Sequence, residues 1–236
     1  MKIQYFEDYA KMSQSAAEIV AKEMAAELRV LGLPTGETPL GMYANLIEMN
    51  KAGKLDFSKV TTFNLDEYYP IKKDNPQSYH KFMFDKFFCG INIADKNANI
   101  PEGEALDADA ECKNYEKKIE AAGGIDLMVI GVGANGHIGF NEPGDCLLPD
   151  THVAELSENT REHNKRFFGS IDEVPKKALT MGMGSIMKAK KILLLVSGES
   201  KREVFAKFLT GEITTKVPVS FLHLHKDVTV LADVKI

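Results

Sequence analysis

Polar side chains gather directly behind one apolar segment of the chain. Residues 125–144, IDLMVIGVGANGHIGFNEPG, end in glycines and present Asn135, His137 and Glu142 within eight residues. Histidine changes its charge near neutral pH, so this grouping is typical of proton-transfer chemistry. A buried histidine in a glycine-rich connector is the alternative, and it is the commoner explanation of a histidine that stands alone. Three polar side chains after one strand favour a chemical site.

The glycines of this segment also match a dinucleotide-binding pattern. Gly131, Gly133 and Gly136 spell G-x-G-x-x-G, which in such proteins follows a strand. That pattern requires a helix to begin directly after the loop, whereas HIGFNEPG follows here and contains the breakers Pro143 and Gly144. We therefore interpret the segment as a loop that carries functional side chains, and not as a backbone cradle for NAD.

A second candidate site is the segment PTGETP at residues 34–39. Gly36 lets backbone amides converge, Thr35 and Thr38 add hydroxyl donors, and a helix that begins near Pro39 points its positive end at the loop. These features predict a phosphate site. No Walker lysine is present, so the segment is not a nucleotide P-loop. The alternative is an ordinary helix start in which Thr38 caps the helix.

The acidic pair Asp66 and Glu67 follows another apolar segment, VTTFN. A carboxylate at a strand end, flanked by Leu65 and by tyrosines, could be partly desolvated and so become more basic, as the base for a carbon acid must be. The alternative is a capping or surface acid, since two adjacent acids usually lie in solvent.

Basic residues and histidines give weaker signals. Lys201 falls in the first turn of a predicted helix, where the helix dipole disfavours a cation, so an anionic ligand is indicated. The cluster in NTREHNKRFF, which includes Arg166, is typical of a solvated face. His223 and His225 alternate as on a strand, but nothing nearby completes a metal-ligand set, so no metal is expected.

Helical and strand-like segments alternate along the chain. Helices are predicted over residues 9–28, 38–49, 78–88, 107–121 and 200–209; strands are predicted over residues 28–33, 60–64 and 125–130, near Ala178, from Lys190 and from Val228. Continuous apolar strands between helices belong to a parallel sheet covered on both faces. We predict an α/β fold with a single doubly wound, mostly parallel sheet, in one domain over residues 1–236. Such sheets bind ligands at the carboxyl ends of their strands, where the candidate residues lie.

Composition limits the classes of partner. Of the 236 residues, 44% are hydrophobic and 27% are charged, and the net charge of -5 gives no support to nucleic-acid binding. The three cysteines have no C-x-x-C spacing and indicate reduced thiols. No apolar segment approaches the roughly 18 residues of a membrane span. We expect a cytoplasmic protein that binds neither nucleic acid nor a membrane.

Several motifs in order carry a resemblance to a known family. GLPTGETPLGMY, NLDEYYP, PQSYHKFM, GVGANGHIGFNEPG, TREHNKRFF and SGESK together resemble the glucosamine-6-phosphate deaminase and galactosamine-6-phosphate isomerase family, nearly from end to end. The resemblance implies a modified Rossmann-like sheet and an aldose–ketose isomerisation coupled to loss of ammonia from an amino-sugar phosphate. It implies no metal or organic cofactor, and we expect a monomer or a small homo-oligomer.

The resemblance also implies roles for the catalytic residues. Asp66 would be the base that moves a proton between C2 and C1, and His137 would open the sugar ring with Glu142 orienting it. Some family members have Asp where this chain has Asn135 in the group around the histidine. Because Asn cannot be anionic, ring opening is expected to depend more on Glu142, while other members that resemble this chain also use Asn.

The resemblance implies a phosphate site as well. Thr35, Gly36, Thr38, Arg166 and Lys201 would hold the 6-phosphate, and only Arg166 is new to the assignment made from the residues themselves.

Regulation and epimer choice are further expectations. Larger members have a basic allosteric phosphate site after the NEP motif, where this chain has Asp145, Asp150 and Glu155. We therefore expect no activation by an N-acetylated amino-sugar phosphate.

NEPGDCLLPDTH, SGESK and VPVSFLHLH look closer to the galactosamine branch than to the glucosamine branch, and either C4 epimer stays open as the substrate.

Two other functions are alternatives. A 6-phosphogluconolactonase-like hydrolase would use His137 to activate water and would have no carbon proton for Asp66 to remove. A non-catalytic sugar-phosphate sensing domain would normally accompany a DNA-binding helix, and no basic recognition helix is visible.

Overall fold

The computed structural model describes residues 1–235, apart from the side chains of Asn159 and His163. The strands are β1 Lys2–Tyr5, β2 Val30–Leu33, β3 Thr61–Asn64, β4 Asp66–Tyr69, β5 Ala98–Asn99, β6 Leu127–Gly131, β7 His152–Glu155, β8 Lys177–Thr180, β9 Lys191–Val196 and β10 Val228–Ala232. The α-helices are α1 Tyr9–Ala25, α2 Leu40–Lys51, α3 Tyr79–Lys86, α4 Ala108–Ala121, α5 Glu158–Phe168, α6 Met183–Met187 and α7 Arg202–Leu209. Short 3-10 helices cover Phe88–Gly90, Asp95–Asn97, Glu199–Lys201 and Pro218–Leu224.

Seven strands form the main sheet, in the order β1-β10-β9-β6-β2-β3-β5, and every neighbouring pair is parallel. The α/β class and the mostly parallel sheet are therefore confirmed. A second, three-stranded antiparallel sheet in the order β4-β8-β7 was not predicted. The strand expected near Ala178 is β8, and it belongs to this second sheet.

Alternate residues of the central strands face opposite cores. Leu193 of β9 packs in the core that holds Leu46 and other side chains of α1, α2 and α3. The next residue, Leu194, packs in the core that holds Phe208 and other side chains of α4, α6 and α7. Burial on both faces explains why these strands read as continuous apolar runs.

The chain passes from the main sheet to the small sheet at Leu65. Leu65 follows β3, and its N–H donates to Leu33 O (3.3 Å) in β2 of the main sheet. Its carbonyl accepts from Met181 N (2.7 Å), directly after β8. Asp66 thus begins β4 at the junction between the two sheets.

Some local predictions differ from the structure. His223 and His225 are not on a strand, because His223 lies in the 3-10 helix Pro218–Leu224 and His225 follows it. Their Nε2 atoms contact the carbonyl oxygens of Phe208 and Ala189, both at 2.8 Å. No helix in residues 1–235 is long and apolar enough to cross a membrane.

Candidate active site

The loop after β6 brings Asn135, His137 and Glu142 together. The side-chain amide of Asn135 donates to Glu142 Oε2 (2.7 Å), and its carbonyl oxygen accepts from the backbone N–H of His137 (3.2 Å). The imidazole Nδ1 of His137 lies 3.5 Å from Glu142 Oε1. β6 is followed by turns and then by the edge strand β7, which confirms a side-chain loop in place of the helix start that a dinucleotide cradle requires.

Gly133 has a steric reason to be glycine. A Cβ atom there would lie 2.1 Å from Cε1 of His137, so the imidazole occupies the space of the missing side chain. The Gly133 N–H also donates to the carbonyl of His137 (2.9 Å), which closes the loop. The glycine that suggested a phosphate-binding backbone instead makes room for the histidine ring.

The environment of Glu142 favours its ionised form. Burial by itself raises the pKa of the Glu142 carboxyl, but the contacts with His137, Asn135 and Thr160 outweigh burial and leave the pKa below its ordinary value. The Thr160 hydroxyl donates to Glu142 Oε1 (3.2 Å), the same oxygen that faces the imidazole. Thr160 lies on α5 and was missed in the sequence, where nothing distinguishes it from a surface threonine.

Asp66 is buried beside the same loop. Its side chain is not in bulk solvent, since the residue is only 6% exposed. A Cβ atom on Gly139 would lie 3.2 Å from Asp66 Oδ2 and 2.8 Å from the hydroxyl of Thr180, so the carboxylate packs against the backbone two residues after His137. Burial, helped by the charge of Glu67, raises the pKa of Asp66 to about 8.

Glu67 is buried as well, which the expectation of a solvated acid did not foresee. Its carboxylate accepts the backbone N–H groups of Tyr68 (2.9 Å), Tyr79 (2.8 Å) and His80 (2.8 Å), and so joins β4 to the start of α3. Burial raises the pKa of Glu67 to about 7 in spite of these three hydrogen bonds. Glu67 also lines a cavity of about 400 Å³ that Asp66 does not line.

The predicted phosphate loop lies between β2 and α2. Gly36 has φ +92, a left-handed conformation that favours glycine, and a Cβ atom there would meet nothing within 4 Å. Neither the Thr35 nor the Thr38 hydroxyl makes a hydrogen bond to another described residue, and α2 has no side-chain cap of its own. Thr38 therefore does not cap the helix, which removes the alternative explanation of this segment.

Lys201 and Arg166 are two cations on other elements, and the charge of Lys201 interacts with that of Glu37 in this loop. Lys201 lies at the end of a 3-10 turn, directly before α7, and burial followed by the charge of Arg166 lowers its pKa, while Glu37 acts in the opposite direction. Arg166, from α5, stacks its guanidinium 4.6 Å from the centre of the Phe167 ring. Arg166 is exposed, as a solvated face would have it, and within residues 1–235 no salt bridge occupies either cation.

The predicted site residues thus form two groups. Asp66 and the His137 loop form one group at the sheet junction, and Lys201 interacts electrostatically with Glu37 of the other predicted loop and with Arg166. No set of three or more His, Cys, Asp or Glu side chains in the described part of the chain is placed to hold a metal ion.

A family model supports this arrangement of motifs. The model described as glucosamine-6-phosphate isomerases/6-phosphogluconolactonase matches residues 7–231. The chain belongs to this family.

Curated relatives are similar over nearly the whole chain. A glucosamine-6-phosphate deaminase of Thermoanaerobacter sp. (strain X514) is 56% identical over 234 residues, which cover 99% of this chain and 92% of the relative. A glucosamine-6-phosphate deaminase of Clostridium beijerinckii is 52% identical over 235 residues, which cover 99% of this chain and 97% of the relative.

Solved structures agree with the sequence relatives. The structure of a monomeric glucosamine-6-phosphate deaminase matches with a TM-score of 0.95 at 48% identity. The match covers 98% of this chain and 97% of that one. A 6-phosphogluconolactonase from Thermotoga maritima has a TM-score of 0.75 at 21% identity and covers 98% of both chains, a likeness in fold alone.

Proposed function

We propose that the protein converts glucosamine 6-phosphate and water to the keto-hexose 6-phosphate and ammonia. The observation that carries this proposal is the buried Asp66 carboxylate beside the His137 loop, since a base with a raised pKa is what removal of a proton from carbon requires. Lys201, whose charge interacts with Glu37 of the Thr-Gly loop, and Arg166 would supply a separate phosphate anchor, which gives binding energy away from the reacting carbons.

The residues divide the reaction into proton transfers. His137, oriented by Glu142 and Asn135, moves the anomeric proton to the ring oxygen and opens the ring to a C1 aldehyde. Asp66 then takes the C2 proton while O1 takes a proton from the C2 ammonium group, which gives an enolamine, and Asp66 returns its proton to C1. This leaves C2 as an iminium, and water adds there while ammonia departs.

The phosphate group is proposed to bind at the second group of residues. Thr35, Gly36 and Thr38 offer hydroxyls and backbone amides at the N-terminal end of α2, and Lys201 and Arg166 supply two positive charges. We propose that these five residues hold the 6-phosphate.

The epimer is proposed from the curated relatives. All eight relatives considered bear the name glucosamine-6-phosphate deaminase, at 49–56% identity. They support the glucosamine epimer over the galactosamine branch that NEPGDCLLPDTH, SGESK and VPVSFLHLH suggested.

An ammonia-release assay tests the proposal directly. Wild type and Asp66→Asn are assayed with glucosamine 6-phosphate and galactosamine 6-phosphate, and hydrolysis of 6-phosphogluconolactone is measured in parallel. We expect ammonia mainly from the glucosamine substrate, and a loss of at least about 10³-fold in Asp66→Asn because the base is removed. Lactone hydrolysis that survives in Asp66→Asn, without ammonia release in wild type, would show a lactonase.

A further inference from the structure

The hydroxyl of Tyr9 makes three polar contacts with the phosphate loop and the helix behind it. Tyr9 is the first residue of α1, far from the loop in sequence. Its oxygen accepts the backbone N–H of Gly41 (2.7 Å), and its proton is shared between the carbonyl oxygens of Glu37 and Thr38, each 3.1 Å away. One side chain thus satisfies an amide and two carbonyls in a single turn of backbone.

This contact replaces the cap that α2 lacks. The first N–H groups of a helix need acceptors, and a Ser, Thr, Asp or Asn just before the helix usually supplies one. The residue before α2 is Pro39, which makes no side-chain cap, and the Gly41 N–H is bound by Tyr9 instead. Because the cap comes from α1, the Thr38 hydroxyl stays free for a ligand.

The packing of α1 on α2 keeps Tyr9 in place. A Cβ atom at Gly41 would lie 2.4 Å from the hydroxyl oxygen of Ser13, so the two helices approach closely next to Tyr9. The other end of the loop is held by the buried Tyr43, whose hydroxyl donates to Pro34 O (2.5 Å). Tyr43 therefore holds the first residue of the loop, and Tyr9 holds its last residues and the start of α2.

We propose that Tyr9 is a positioning residue of the phosphate site, which holds the backbone of residues 35–38 in its binding shape and leaves the Thr38 hydroxyl for the phosphate. This inference rests on the proposed function, because it assumes that the loop binds the 6-phosphate. Tyr9 itself has no role in proton transfer.

The test is Tyr9→Phe, which removes only the hydroxyl. We expect KM for glucosamine 6-phosphate to rise about tenfold, which corresponds to about 1.4 kcal/mol, while kcat stays within about twofold because the loop binds substrate and transition state alike. The inhibition constant of inorganic phosphate should rise by a similar factor. Tyr5→Phe is the matched control, since Tyr5 is 57% exposed and its hydroxyl makes no hydrogen bond to a described residue; its kinetics should be those of wild type.

A purely structural role would give a different result. If Tyr9→Phe lowered the melting temperature but left KM and phosphate inhibition unchanged in the folded protein, the inference would be wrong. A loss of kcat with unchanged KM would overturn it as well.

Lys201→Ala separates this inference from the proposed function. If Lys201→Ala raises KM and Tyr9→Phe does not, only the role of Tyr9 is refuted. If neither variant affects KM or phosphate inhibition, the phosphate would bind elsewhere, and the site assignment would fail together with the role of Tyr9.

Discussion

At the scale of single residues, the two adjacent acids of β4 do different things because successive side chains of a strand point to opposite faces. Asp66 lies against the His137 loop, and Glu67 binds the amides that begin α3. Burial raises the pKa of both carboxyls, and the charge of Glu67 raises that of Asp66 further. A base with this character is mostly protonated at neutral pH in the free enzyme.

The pH dependence of kcat/KM follows from that protonation state. Only ionised Asp66 can accept the C2 proton, so we expect kcat/KM for glucosamine 6-phosphate to rise with pH through about 8, the pKa of Asp66. Glu67→Gln removes the neighbouring charge and should move this rise to lower pH, whereas Glu120→Gln, on the exposed part of α4, should not. A rise centred near pH 4 in wild type would contradict a buried base.

Residue types in the sequence were enough to select the proposed proton-transfer group but not the side chains that hold it in place. Asp66, His137 and Glu142 stand out because they are acids and a histidine that follow apolar segments. Glu67 and Thr160 do not, since a second acid usually lies in solvent and a threonine in a polar segment has no distinctive pattern. Their roles depend on contacts between segments distant in the chain, which spacing alone cannot reveal.

At the scale of secondary structure, α5 connects both groups of site residues. Thr160 donates to Glu142, Asn164 donates to the Tyr68 hydroxyl on β4 (3.1 Å), and the charge of Arg166 acts on Lys201. One helix therefore contacts the loop of the proton-transfer group and the strand of Asp66, and it carries one of the proposed phosphate-binding cations. Its position should affect turnover even though α5 carries no proposed acid or base.

The contact between Thr160 and Glu142 provides a test of this connection. Thr160→Val keeps the shape of the side chain but removes a donor to Glu142, so Glu142 should hold His137 less well. We expect kcat/KM to fall about tenfold, the effect of losing one hydrogen bond, and Thr160→Ser to restore most of it. Thr210→Val at the end of α7 is the control, and equal losses in both valine variants would contradict a specific role.

Three of the elements that were not predicted, α5, β7 and β4, lack a continuous apolar run. The segment of α5, ENTREHNKRFF, has almost no apolar stripe, so helical periodicity does not reveal it. β7 is a short edge strand that is nowhere fully buried, and β4 follows β3 after a single residue. The central strands β2, β6 and β9 were predicted because burial on both faces requires unbroken apolar runs.

At the scale of the whole molecule, the proposed site lies where two sheets meet. The proposed base is buried there, and its burial lowers the stability of the folded protein. Asp66 is held at this junction by the step from β3 to β4, and its carboxylate makes no hydrogen bond to a described residue. At any pH where this carboxyl is ionised in the unfolded chain, its burial in the folded chain lowers the free energy of unfolding, because it must be either protonated or charged without solvent. Active sites often carry a cost of this kind.

Asp66→Asn should therefore stabilise the protein in a pH-dependent way. The folded-state pKa of Asp66 is about 8, above its value of about 4 in an unfolded chain. The contribution of Asp66 to the stability of the wild type is thus fully present below pH 4 and declines as the pH rises toward 8, by about 1.4 kcal/mol for each unit between the two pKa values at most. Asparagine does not titrate, so the difference in free energy of unfolding between Asp66→Asn and wild type should be small near pH 4, grow to about pH 8 and then level off. Urea unfolding of both proteins at pH 4, 6, 8 and 9 measures this difference, with exposed Asp109→Asn as the control, and a difference that is constant across the series would contradict a buried carboxyl with a raised pKa.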